Sequence, residues 1–120
     1  MGKKVLVADD DPGMIKILTH ILEMEDCEVS SALDGEAALQ GVREIQPDVL
    51  IIDMNMPKMD GLDVLRKLSG EQGTPVPAIL LTAQDPEDLA GVLAGLPHVV
   101  HLEKPFELDK LLGVLQRLLG

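Results

Sequence analysis

Apolar and polar positions along the chain follow two alternating periods. Short, nearly unbroken apolar runs stand at Val5-Leu6-Val7-Ala8, Val49-Leu50-Ile51-Ile52, Ala78-Ile79-Leu80-Leu81 and Val99-Val100-His101-Leu102. Runs of that length predict strands buried on both faces of a parallel sheet. A more polar run, Glu28-Val29-Ser30-Ser31-Ala32, predicts an edge strand. Between the runs the period becomes helical. Met14, Ile17, Leu18, Ile21 and Leu22 trace one buried face, and Ala38, Val42 and Ile45 a second, with Asp34 as its N-cap. Leu62, Leu65 and Leu68 mark a third helix; Leu89, Val92, Leu93 and Leu96 a fourth; Leu108, Leu111, Leu112, Leu115 and Leu119 a fifth. Gly91 and Gly95 make the fourth intrinsically the weakest, each costing about 1 kcal/mol relative to Ala.

Five strands alternating with five helices predict an α/β fold, a doubly wound five-stranded parallel sheet with right-handed crossovers. The flavodoxin-like order 2-1-3-4-5 places the polar-interrupted second and fifth strands at the edges. In such sheets the functional site lies beyond the carboxyl ends of the strands, at the switch point between the first and third. With no repeat or linker, residues 1–120 read as a single domain.

Four of the five strand ends are chemically loaded. The first strand runs into Asp9-Asp10-Asp11-Pro12, the third ends at Asp53, the fourth at Thr82, and the fifth leads to Lys104-Pro105. Alone, each has an ordinary explanation. Asp11 and Pro12 make a favourable helix opening, Asp53 a turn, Thr82 a strand residue and Lys104 a solvated charge. Together they crowd one rim. Two carboxylates ~5 Å apart repel by about 3 kcal/mol at an effective dielectric near 20, and a hard cation offsets that cost. Magnesium, or manganese in its place, takes one or two carboxylates and keeps waters and a substrate phosphate.

Composition narrows the remaining choices. The net charge of −11 argues against a nucleic-acid or anionic-membrane surface. Aromatic residues are reduced to Phe106, so the core is aliphatic and there is no set of rings for stacking bases or a flavin. The single cysteine, Cys27, fits a reducing, cytoplasmic location and reads as a small buried hydrophobe. The apolar run after Lys3 and Lys4 is too short for a signal peptide or membrane span. Met54 and Met56 read as packing, His20 and His98 as surface residues.

The acidic pair Asp9-Asp10, the run Asp53-Met54-Asn55-Met56-Pro57-Lys58-Met59-Asp60-Gly61, Leu81-Thr82-Ala83 and Lys104-Pro105-Phe106 resemble the receiver domains of bacterial response regulators. The likeness covers essentially the whole chain. It implies that Asp53 accepts a phosphoryl group from a sensor histidine kinase or a histidine phosphotransfer protein. It implies that Asp10, Asp53 and the main-chain carbonyl of Asn55 ligate magnesium, with Asp9 acting through water. Lys104 and Thr82 would contact the phosphoryl group, the Lys104–Pro105 bond would be cis, and Gly61 would lie in the turn before the third helix. Asn55 and Gln84 would line the approach. Thr82 and His101 would form the switch that alters the face of the fourth helix, fifth strand and fifth helix, where an output protein or effector domain docks or a phosphorylation-dependent dimer forms.

His101 departs from the family, which has Tyr or Phe there; either the imidazole simply fills that slot, or the exchange makes the coupling altered or pH-sensitive. The chain would catalyse only its own phosphorylation and dephosphorylation. Three rival readings follow from the same residues. A haloacid-dehalogenase-like magnesium phosphatase needs a second Asp where Asn55 stands. A flavodoxin needs a Ser/Thr/Gly-rich loop after the first strand. A degenerate receiver acting as a scaffold needs site residues to be missing, and all are present.

Overall fold

A computed structural model of the chain describes residues 2–71, 76–83, 91 and 93–119. Its elements in chain order are β1 (Lys4–Ala8), α1 (Pro12–Met24), β2 (Glu28–Ala32), α2 (Gly35–Ile45), β3 (Val49–Asp53), α3 (Gly61–Ser69), β4 (Ala78–Thr82), β5 (Val99–Glu103) and α4 (Leu108–Leu119). The strands form one parallel sheet in the order β2-β1-β3-β4-β5. The expected order and edges therefore hold. Of the fourth expected helix, Leu89 and Val92 lie outside the described residues, as does Gln84; Leu93 and Leu96 pack on the core. The fifth expected helix is α4.

Alternate residues of each inner strand feed opposite faces, as the period of two requires. Leu6, Ala8, Leu50, Ile52 and Leu80 meet α2 and α3 on one face. Val5, Val7, Val49, Ile51, Ile79 and Leu81 meet α1 and α4 on the other. Cys27 is buried within the second layer, and Met54 within the first, as expected of packing residues. Two details differ from the sequence expectations. Ile17, expected on the buried face of α1, is 57% exposed, whereas Leu18 and Leu22 of that face pack against the strands. His98 is half-buried, since the Ala78 N–H donates to its carbonyl at 3.1 Å and draws the residue against β4.

The helix openings set the loops at the carboxyl rim. Asp11 caps α1 by accepting the Gly13 N–H at 2.9 Å, with Pro12 in the first turn where no N–H is needed. Asp34 caps α2 through the Ala37 N–H at 2.8 Å, and Asp60 caps α3 through the Asp63 N–H at 2.8 Å. Gly61 is thus the first residue of α3, one step later than the turn expected for it. Only glycine fits there: a Cβ would stand 2.3 Å from the Asp53 carbonyl oxygen. Among the described residues no helix is long and apolar enough to cross a membrane.

Candidate functional site

The register of the sheet brings the chemistry together. Ala8 pairs with Ile52, so the residues that follow, Asp9 and Asp53, leave adjacent strands side by side. One carboxylate oxygen each of Asp9, Asp10 and Asp53 lies within 4.8 Å of the others. Asp9 and Asp53 are buried and Asp10 is exposed. From beyond β4, the Lys104 ammonium reaches Asp53 Oδ1 at 2.9 Å. Its own N–H donates to the Thr82 carbonyl at 2.7 Å, which fixes the residue at the end of β5. The Lys104–Pro105 bond is cis. Thr82 is buried at the end of β4, and the chain leaves β3 with the Met54 N–H on the Leu81 carbonyl at 2.8 Å.

Three carboxylates thus face one ammonium, an excess of two negative charges in a small volume. The strain falls on Asp9. Its Oδ1 accepts the Asp11 N–H at 2.9 Å, but its Oδ2 is buried with no hydrogen-bond partner. Burial pushes the Asp9 carboxyl above the usual carboxylate range. The charges of Asp53 and Asp10 push it the same way, against the Asp11 N–H and Lys104. A buried acceptor left unpaired costs about 1–3 kcal/mol. A divalent cation matches the charge excess and would give that oxygen a partner, so these residues fit the ion that the strand ends suggested.

The sequence singled out Asp9, Asp10, Asp53, Thr82 and Lys104, and the fold gathers all five at one rim. Asn55 is exposed on the loop after β3, and His101 is half-buried on β5 in register with Leu80. Sequence reasoning missed an apolar cavity of about 530 Å³ beside Lys104, lined by Met14, Ile17, Leu18, Ile21, Phe106 and Leu108. The sequence hid it because Ile17 and Ile21 follow the same helical period as the buried Leu18 and Leu22.

A family model described as the response regulator receiver domain matches residues 5–116. The chain is similar to the response regulator MprA of Mycobacterium tuberculosis, with 39% identity over 121 aligned positions covering 99% of this chain and 51% of that protein. The chain spans about half the length of the curated relatives it matches. Among solved structures it is similar to the chemotaxis response regulator CheY4 of Vibrio cholerae, with TM-score 0.88, 30% identity, and coverage of 98% of this chain and 99% of that one. It is also similar to the receiver domain of a sensor histidine kinase from Pseudomonas aeruginosa, solved with magnesium coordinated in the active-site cleft. There the TM-score is 0.84 and the identity 28%, covering 100% of this chain and 99% of that one.

Proposed function

The chain belongs to the response regulator receiver family, whose domains are phosphoryl-accepting switches of two-component systems, and we propose that Asp53 is the acceptor in this one. The observation that carries the reading is the convergence of the Asp9, Asp10 and Asp53 carboxylates within 4.8 Å, with the Lys104 ammonium on Asp53.

The donor is a phosphohistidine on a sensor kinase or histidine phosphotransfer protein. An Asp53 carboxylate oxygen attacks the phosphorus, the P–N bond breaks, and the imidazole nitrogen leaves with its electron pair and takes a proton. An acyl phosphate remains on Asp53, and water hydrolyses it later. Asp10, Asp53 and the Asn55 carbonyl would hold magnesium (manganese substituting), with Asp9 assisting through a water. When bound, that ion would supply charge neutralisation for the phosphoryl oxygens. Lys104 neutralises a further oxygen, having little distance to travel from Asp53 Oδ1. The Thr82 hydroxyl donates to another. The magnesium in the Pseudomonas aeruginosa receiver supports the choice of ion.

The cavity between α1 and the Lys104–Leu108 segment is lined in part by Lys104, whose ammonium reaches Asp53, and would give the phosphohistidine partner an apolar seat. Phosphorylation adds about −1.5 to −2 charge. Thr82 and His101, on neighbouring strands, then bias a two-state equilibrium toward a changed face at β5, α4 and the residues before β5. An output protein or effector domain reads that face, or a second phosphorylated copy pairs through it. The site works once per phosphoryl group rather than as a turnover enzyme, because Asn55 offers no general acid to a leaving group. A cytoplasmic location suits the buried free thiol of Cys27 and the kinase partner.

Beryllofluoride with magnesium tests the reading. One equivalent bound per chain, with no turnover of a phosphomonoester, is expected. Sustained turnover would transfer the site to the phosphatase class.

A further inference from the structure

The segment joining β3 to α3, residues 54–60, carries Asn55, and it is held at both ends. At one end the Gly61 N–H donates to the Met54 carbonyl at 2.8 Å, and Gly61 lies directly on the Asp53 carbonyl. At the other end the chain makes a tight reversal. The Met59 N–H donates to the Pro57 carbonyl at 2.8 Å around Lys58, whose φ is 69°. A three-residue turn with positive φ is the rare and strained form, and lysine has no special tolerance for that region. Such a turn persists only where its surroundings hold it.

Those surroundings are the start of α2. The Lys58 ammonium stands 3.6 Å from Asp34 Oδ2 and 3.8 Å from Glu36 Oε2. Asp34 is itself fixed, since its other oxygen caps α2. Between them the Gly35 N–H points at the Pro57 carbonyl at 3.4 Å. The backbones touch so closely that a Cβ on Gly35 would meet the Met59 carbonyl oxygen at 1.9 Å. Asn55 lies between the two anchors.

We propose that Lys58 is a positioning residue for metal uptake: its ammonium, shared by Asp34 and Glu36, clasps the 54–60 segment to α2 and so fixes the Asn55 carbonyl over Asp53. The inference rests on the assignment of Asp53 and Asn55 as magnesium ligands. It is specific to this arrangement of charges, because a lysine with no such role is merely a solvated cation.

The two possibilities predict opposite signs. Removing one positive charge from a chain of net charge −11 strengthens a divalent cation's binding by long-range attraction alone. Loss of the clasp weakens it. Calorimetric titration with magnesium chloride at fixed ionic strength reads the sign for the unaltered chain, Lys58→Asn, Lys58→Gly and Lys58→Arg. Gly adopts positive φ freely and Asn more readily than most residues, so urea midpoints no lower than that of the unaltered chain are expected. The expected result is magnesium affinity lowered about three- to fivefold in Lys58→Asn and Lys58→Gly, within the range an exposed ion pair can carry, and restored in Lys58→Arg. Equal or tighter binding in Lys58→Asn and Lys58→Gly overturns the clasp. Absence of magnesium uptake by the unaltered chain instead overturns the metal site on which the clasp depends.

Discussion

The Lys104 ammonium lies 2.9 Å from Asp53 Oδ1 although a whole strand, β4, separates the two parent strands. It therefore sits where a metal ion and a phosphoryl oxygen would each favour or oppose it differently. A cation beside a cation site repels the incoming ion, whereas a cation beside a phosphoryl group stabilises it. Lys104→Met should therefore keep or raise magnesium affinity while slowing acceptance from acetyl phosphate roughly a hundredfold. Calorimetry and a phosphorylation time course check the two halves separately; loss of magnesium binding in this variant contradicts the assignment.

Asp9 is the costly residue of the site. Its Oδ2 is buried without a partner, and its carboxyl is pushed above the usual range chiefly by burial. Asp9→Asn removes a buried charge at neutral pH and lets an amide N–H point toward the neighbouring carboxylates. The variant should be more stable than the unaltered chain by about 1–2 kcal/mol in urea without divalent ions. Adding magnesium should raise the midpoint of the unaltered chain and much less that of the variant.

Two glycines make a matched pair of opposite sign. At Gly61 a Cβ would stand 2.3 Å from the Asp53 carbonyl oxygen and 3.1 Å from Leu80 Cδ1, so Gly61→Ala must move backbone at the site. A loss of about 1–3 kcal/mol is expected, with weaker magnesium uptake. At Gly113, inside α4, a Cβ meets nothing within 4 Å. Gly113→Ala should therefore gain about 0.5–1 kcal/mol and leave magnesium affinity unchanged. Urea unfolding of both variants reads the contrast.

His98 gives the fold a pH dependence remote from the carboxylates. Burial lowers its pKa below the ordinary 6.5. The folded state thus holds a proton there less tightly than the unfolded chain does. Stability from this residue is complete above pH 6.5 and is lost as pH falls through the lower folded value. Replacing His98 with Gln should flatten the stability profile over that interval, with little change above it. An identical slope in both proteins would remove His98 from the account.

Much of this was legible in the sequence because one strong signal, the apolar run, fixes both strand identity and strand end. The polar Glu28–Ala32 run placed β2 at an edge, and the strand-end residues Asp9, Asp53, Thr82 and Lys104 then had one rim to share. Three features needed the fold. The chain leaves β1 at Ala8, so the pattern of two stops before it can tell buried Asp9 from exposed Asp10. Ile17 follows the helical period of a buried face, yet its neighbours across the groove, Phe106 and Leu108, come from the far end of the chain. Lys58 meets Asp34 and Glu36 only because the loop after β3 folds back over α2. Periodicity is a local signal and carries none of these distant pairings.

Intact-mass measurement after incubation with acetyl phosphate and magnesium puts the acceptor itself to trial. The chain should gain a single phosphoryl group, only when the ion is present, and Asp53→Asn should gain none. Labelling of Asp53→Asn at the unaltered rate, or failure of the unaltered chain to label once magnesium binding has been demonstrated, would contradict the assignment of Asp53.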